Sequence, residues 1–360
     1  MSKALAILGL ISFNLRICYD YYKYLFAGES MSNIPGKKKR TKRSVDSLMK
    51  FMRDEKGIEI NGSSHKKKLL NMGYFHGYKG YRFVHTIDDG IPFTDFNEII
   101  AINQFDSNMK ELFYKPIMFL ETSWKSHCVE TCVKIASDDF TKIYDNVLND
   151  YKDLKPSDKK YNDRVKHRFK VRDSIYSTIT YKYNKSTILQ YYQRNEKPVP
   201  IWAIMEIISL GSFGDFLRAM NVDSRRNLLK SLNVYYSNFD GDARLLENTI
   251  YCISTLRNAI AHNLIIFDCR FKDGEVSKCV KELVKVEIGD QFIGFHSIVD
   301  YLALVLIFLK KASITKTDRR KIVRSFQNEC EVLRSSIPVI AYDKILGTDV
   351  QKKLQILSNY

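Results

Sequence analysis

The chain has 360 residues, of which 45% are hydrophobic, and sets 57 Lys+Arg against 41 Asp+Glu for a formal net charge of +16. That apolar share suffices for a sizeable core, which excludes wholesale disorder and a fibrous repeat. The charge says nothing about fold but points to a polyanionic partner, nucleic acid ahead of an anionic membrane surface.

Residues 1–43 read as an N-terminal extension and basic arm. Its apolar stretch, residues 4–11, is interrupted by Asn14 and Arg16 and is too short to span a bilayer. No small-x-small cleavage site follows, and residues 19–24 are rich in tyrosine, which speaks against a secretory signal. Met31 opens a lysine-rich texture, so a translation start at Met31 or an extra helix on the core is expected rather than a membrane anchor, and the location expected is cytoplasmic. The compact basic runs Lys37, Lys38, Lys39, Arg40 and Lys66, Lys67, Lys68 flank a segment from Ser44 that reads as the start of an N-capped amphipathic helix.

An N-terminal helical lobe is expected over 44–149. Glycines alternate with tyrosines between Gly73 and Tyr81, the texture of turns between short helices. From Phe93 to about Ile143 the apolar residues recur at three and four, which predicts helix. The seven cysteines are odd in number and scattered, unlike a disulfide framework. His127, Cys128 and Cys132 offer three of the four ligands a closed zinc site needs, and no second pair stands out, so no metal or other cofactor is expected and the thiols are read as buried apolar groups.

Residues 150–195 form a basic, Tyr-rich connector. Lys159, Lys160, Arg164, Arg168 and Arg172 alternate with rings such as Tyr161 and Tyr176, a mixture suited to RNA phosphates and unpaired bases. A surface helix pair with its long cationic stems laid over apolar groups gives the same pattern. The remainder, 196–360, reads as one helical domain. Between Lys272 and Phe295 the texture turns strand-like, with Val284, Val286 and Ile288 alternating between two Asp/Gly turn signals, which predicts a small β-hairpin insertion. The run from Ile298 to Leu309 predicts a buried helix.

At ~100° per residue, Leu246, Ile250, Ile253, Arg257, Ile260 and Leu264 share one helical stripe, which puts Arg257 on an apolar face. A cation there needs an anion, and Glu206, the lone charge of the apolar segment after Pro200, is the expected partner. His262 follows Arg257 by five residues, about 7.5 Å along a helix and close to one phosphate step of an extended RNA. Asn258 lies one turn before His262 on the same face. A helix end near Asn263 would set the imidazole at the negative end of the helix dipole, a setting that suits an acid–base group.

Arg257-Asn258-Ala259-Ile260-Ala261-His262-Asn263 resembles the Arg-Asn-x-x-Ala-His signature of HEPN ribonucleases. The preceding segment, Pro200-Ile201-Trp202 with Glu206 and Ser209-Leu210-Gly211-Ser212-Phe213, is similar to the Abi (abortive infection) family of bacterial phage-defence proteins, in its AbiD/AbiF-like group. Gly73-Tyr74, Gly80-Tyr81, Phe105-Asp106 with Met109-Lys110, and Phe119-Leu120-Glu121 echo that family's order of motifs, so the similarity runs from about Ser44 to about Arg270. Where the family often has Arg four residues after this glutamate, the chain has Lys125. The resemblance implies a mainly α, two-lobed helical bundle with a C-terminal HEPN-type domain. It also implies metal-independent cleavage of RNA to 2′,3′-cyclic phosphate and 5′-OH ends. On it, Arg257 would contact the scissile phosphate, His262 would be general acid or base, and Asn258 and Glu206 would support them. One motif per chain implies a homodimer with a composite site, and some relatives pair with a structured non-coding RNA. The alternative is a non-catalytic RNA-binding or scaffold protein that uses the HEPN fold to dimerise.

Overall fold

The computed structural model describes residues 44–272 and 274–360, so the apolar stretch 4–11, Met31 and the run Lys37, Lys38, Lys39, Arg40 lie outside the described residues. Among the described residues the helical periodicity dominates. In chain order the α-helices are α1 (Val45–Lys56), α2 (Gly62–Tyr74), α3 (Phe96–Ile135), α4 (Phe140–Asn146), α5 (Tyr161–Lys182), α6 (Thr187–Arg194), α7 (Ile201–Ile207), α8 (Leu210–Ala219), α9 (Val222–Ser231), α10 (Leu245–Ala261), α11 (Lys278–Glu287), α12 (Ile298–Lys311), α13 (Lys316–Ser336), α14 (Val339–Leu346) and α15 (Val350–Asn359). Among the described residues, extended backbone pairs only in isolated bridges, such as Phe83 with Gly90.

The organising element is α3, a single helix of 40 residues where the sequence promised only helical spacing. That is about 60 Å of rod. A capping box starts it: the Asp95 carboxylate accepts from the first turn, and the Glu98 carboxylate reaches back to Asp95 N–H. Its buried residues, among them Ile102, Phe105, Met109, Phe113, Leu120 and Trp124, form one broad face against several helices, while Gln104, Glu111, Lys115 and Thr122 keep the opposite stripe in solvent. Phe105 meets Phe326 of α13 edge-on, Trp124 meets Phe308 of α12 at 5.2 Å between ring centroids, and the His127 ring bonds Ser231 at the end of α9 at 3.0 Å. Cys128 and Cys132 are fully buried beside these contacts, as the apolar reading expected.

Ile298 to Leu309 of α12 are all buried, each large side chain contributing roughly 1.5–3 kcal/mol. The lone anion of that stretch, Asp300, is neutralised by Lys353 of α15 at 2.9 Å. Val45–Tyr360 is one compact unit, so the two lobes expected on either side of residues 150–195 share a core through α3. No helix of the described residues is long and apolar enough to cross a membrane.

Among the described residues of 272–295 the expected β-hairpin does not form. Lys278–Glu287 is helix α11, and the alternation at Val284, Val286 and Ile288 was the wrong period to follow. Val280, Leu283 and Val284, spaced by three and one, bury a single face against α10 and α12, while Val286 is exposed. The turn signal at Gly289, with φ of 142°, ends the helix. The apolar run after Pro200 also breaks: Ser209 accepts from Ser212 N–H and starts α8 afresh.

Candidate active site

Helix α10 buries Leu246, Ile250, Ile253, Leu256 and Ala259, and Arg257 sits at the margin of that stripe with a third of its side chain exposed. The anion beside it is Glu121 of α3. Arg257 Nε lies 3.9 Å from Glu121 Oε2, a buried atom with no hydrogen-bond partner, and Glu121 Oε1 accepts from Lys125 Nζ at 2.8 Å. Lys125 also donates to the Ile208 carbonyl between α7 and α8, at 2.9 Å. Two cations therefore share one carboxylate, and the guanidinium is left with donors to offer, since its only hydrogen bond among the described residues is a 3.5 Å contact to Asn258 Oδ1.

The expected partnership of Arg257 with Glu206 does not form. Helix α7 has seven residues, buries Ile201, Ala203, Ile204 and Met205, and turns Trp202 and Glu206 to solvent one turn apart. An apolar composition does not bury every face of so short a helix, so its lone charge needed no buried partner. Glu121 and Lys125 carry a signal that could have found them: an i, i+4 ion pair on the inner face of a helix, one turn from Trp124.

His262 caps the C-terminal end of α10, where its N–H donates to the Asn258 carbonyl at 2.9 Å, and its side chain is exposed. The next residue, Asn263, takes the left-handed conformation at φ of 52°, which asparagine tolerates. Its side-chain oxygen accepts from Lys110 Nζ at 2.8 Å, and Lys110 pairs with Asp106 at 2.7 Å. Asp106, fully buried, also accepts from the backbone N–H groups of Ile266 and Phe267 and from Tyr81 O–H. The Gly80-Tyr81 motif belongs to the same anchor. Ile265 packs so close to Gly80 that an added Cβ would lie 2.4 Å from its Cδ1, and Tyr81 stacks on Phe267. The chain leaving His262 is thus tied to α3, and Arg257, Asn258 and His262 sit on one rigid turn.

The basic residues divide into two groups. Lys67, Lys68, Lys159 and Lys160 are exposed, and Lys66 pairs with Asp46 at 2.7 Å on the surface. Arg164 and Arg168 are committed to the protein itself. Arg168 donates to the carbonyls of Leu148 and Tyr144 and lies 3.6 Å from the Tyr144 ring centroid, while Arg164 donates to the Asp150 carbonyl and pairs with its carboxylate. Arg172 stands over the Tyr144 and Phe169 rings. A cleft of about 470 Å³ lined by Lys160, Arg164, His167, Arg218 and Arg244 also holds Asp150, Asp163, Asp242 and Glu247, so its charges balance. Burial pushes the Asp150 carboxyl up, against the pull of the Arg164, Arg225 and Arg244 guanidinium groups. That cleft is a structural ion network and not a basic groove.

Residues 67–268 match the family model described as Abi-like protein. The chain belongs to this family, and membership supports a role in abortive infection, the defence against phage. The matched span holds every member of the site, from Lys110, Glu121 and Lys125 on α3 to His262 and Asn263. No curated protein and no solved structure matches the chain.

Proposed function

We propose that this Abi-like protein is a HEPN-type, AbiD/AbiF-like endoribonuclease that cuts RNA without a metal ion. The observation that carries the reading is the C-terminal end of α10, which presents Arg257, a third exposed and with donors uncommitted among the described residues, five residues before an exposed His262. Arg257 neutralises the non-bridging oxygens of the scissile phosphate as charge builds on them. The substrate's 2′-OH attacks phosphorus and loses its proton, the 5′-oxygen leaves and gains one, and His262 makes one of these two transfers. The products are a 2′,3′-cyclic phosphate and a 5′-OH. A chain with one such histidine is completed by a second copy, which supplies the other acid–base group in a homodimer. Lys67, Lys68, Lys159 and Lys160, with the basic arm at Lys37 to Arg40 beyond the described residues, hold the polyanion, whether substrate or a structured partner RNA, and the site of action is the cytoplasm. Asn258, one turn before His262, orients it; Glu121 takes the supporting part first given to Glu206.

The test is growth arrest and RNA cleavage by Arg257→Ala and His262→Ala. Each is expected to lose at least about a hundredfold in activity, with folding and RNA binding intact and 5′-OH ends gone. Full toxicity in both variants would sink the reading. Salt-sensitive RNA binding with no cleavage by the unaltered protein would favour the non-catalytic scaffold instead.

A further inference from the structure

Helices α3 and α10 meet along a seam pinned at both ends, by Lys110 to Asn263 and by Glu121 to Arg257, so the two run antiparallel there. One flank of the seam is covered by α8 and its approach. On α3 that flank is marked by Lys125, which reaches the Ile208 carbonyl; on α10 it is marked by Tyr251, whose O–H donates to Asp215 at 2.8 Å. Gly214 lets α8 come this close, since an added Cβ would lie 3.1 Å from the Tyr251 ring.

Eleven residues is close to three turns, so residues i and i+11 share a face. Eleven before Lys125 on α3 is Tyr114, and eleven after Tyr251 on α10 is His262, with Asn258 between them on the same line. Beyond the start of α8 the flank has the exposed Tyr114 on one wall and the half-buried Asn258 and exposed His262 on the other. Counting from the two pins, Tyr114 is level with the turn that ends in His262. Tyr114 is 56% exposed, and among the described residues it makes no side-chain hydrogen bond or ring contact.

We infer that Tyr114 is a stacking platform for an unpaired nucleobase next to the scissile phosphate, so that the site takes RNA that is single-stranded at the point of cleavage. This rests on the nuclease reading above. A ring on the wall facing the acid–base residue can hold a base by its π-face, and stacking of this kind tolerates any base while excluding a paired one. The side chain touches substrate and not the reacting atoms, so it acts through binding.

The experiment uses the full chain and a short single-stranded oligoribonucleotide carrying 2-aminopurine. With His262→Ala, which keeps the RNA whole, binding is expected to quench the fluorophore. Adding Tyr114→Ala is expected to abolish the quench and weaken binding roughly tenfold or more, and Tyr114→Trp to keep both. In the otherwise unaltered enzyme Tyr114→Ala raises KM by a similar factor and leaves kcat nearly unchanged. If the unaltered protein cleaves and Tyr114→Ala changes neither quench nor KM, the stacking role is overturned and the nuclease reading survives. If the unaltered protein never cleaves but the quench still depends on Tyr114, the nuclease reading fails and the platform stands. A Tyr114→Ala protein that sediments as monomer where the parent is a dimer would assign the ring to contact between copies and overturn the inference.

Discussion

Two neighbouring stretches of chain, residues 257–263 and residues 264–270, each carry one arginine and use it to opposite ends. In the second stretch every charge is satisfied. Arg270 pairs with Asp268 at 2.6 Å, donates to the carbonyls of Gly80 and Phe83, and lies 4.2 Å from the Phe83 ring centroid; Asp268 also accepts from His85 N–H. In the first, Arg257 has a single carboxylate at 3.9 Å and a third of its side chain in solvent, and the His262 side chain is exposed. The saturated stretch fixes the chain to α3, and the unsaturated turn is what that rigidity presents. An arginine with all donors engaged is structural; one held in place with donors to spare can bind.

The contrast breaks most severely at its anchor. Asp106→Ala leaves Lys110 buried without its anion and strips the Ile266 and Phe267 N–H groups of their acceptor, and is expected to cost roughly 3–5 kcal/mol in urea denaturation. Arg257→Ala removes only a long contact and is expected to change stability by no more than about 1 kcal/mol while activity collapses. An equal loss of stability in both variants would erase the distinction between the two stretches. Gly214→Ala pushes α8 off α10 next to Tyr251 and is expected to cost about 1–3 kcal/mol in thermal unfolding. Lower activity per folded molecule in that variant would tie the α8 contact to the geometry of the turn.

A smaller effect should follow pH at Glu287. Burial pushes its carboxyl up, but hydrogen bonds from Lys311, Tyr236 and Tyr360 overcome this and hold it down at about 2. The unfolded chain takes up its proton near 4.5, so the stabilisation from Glu287 is full above that pH and is lost as pH falls toward 2. Glu287→Gln should flatten the acid limb of a Tm-versus-pH curve in that window. Smallest of all, Glu206→Ala is expected to leave stability within about 0.5 kcal/mol and cleavage unchanged, because Glu206 is exposed and away from Arg257. A large loss of cleavage would restore it to the site.

Local information sufficed where a long, unambiguous pattern lies within one helix. The three-and-four spacing gave the helices, the run from Ile298 gave a buried one, and the stripe through Ile250, Ile253 and Arg257 brought the arginine to the edge of the core with His262 at the helix end. It misled where two periods overlap, as at Val284, Val286 and Ile288, because three alternating residues fit a strand while Val280 and Leu283 before them complete a helical face. The basic connector shows the same limit. By composition Arg168 and Lys160 are equivalent, yet the guanidinium of one is bound to the carbonyls of Leu148 and Tyr144 and the ammonium of the other is exposed.

By itself, then, the sequence determined the helical class, the family motifs and the single Arg257 to His262 spacing, since each depends on residues a few positions apart on one continuous helix. Only the tertiary structure decided which carboxylate faces Arg257. Glu121 and Glu206 lie on different helices, and their distances to Arg257 depend on how α3 and α7 pack against α10, a long-range outcome that no spacing along the chain encodes.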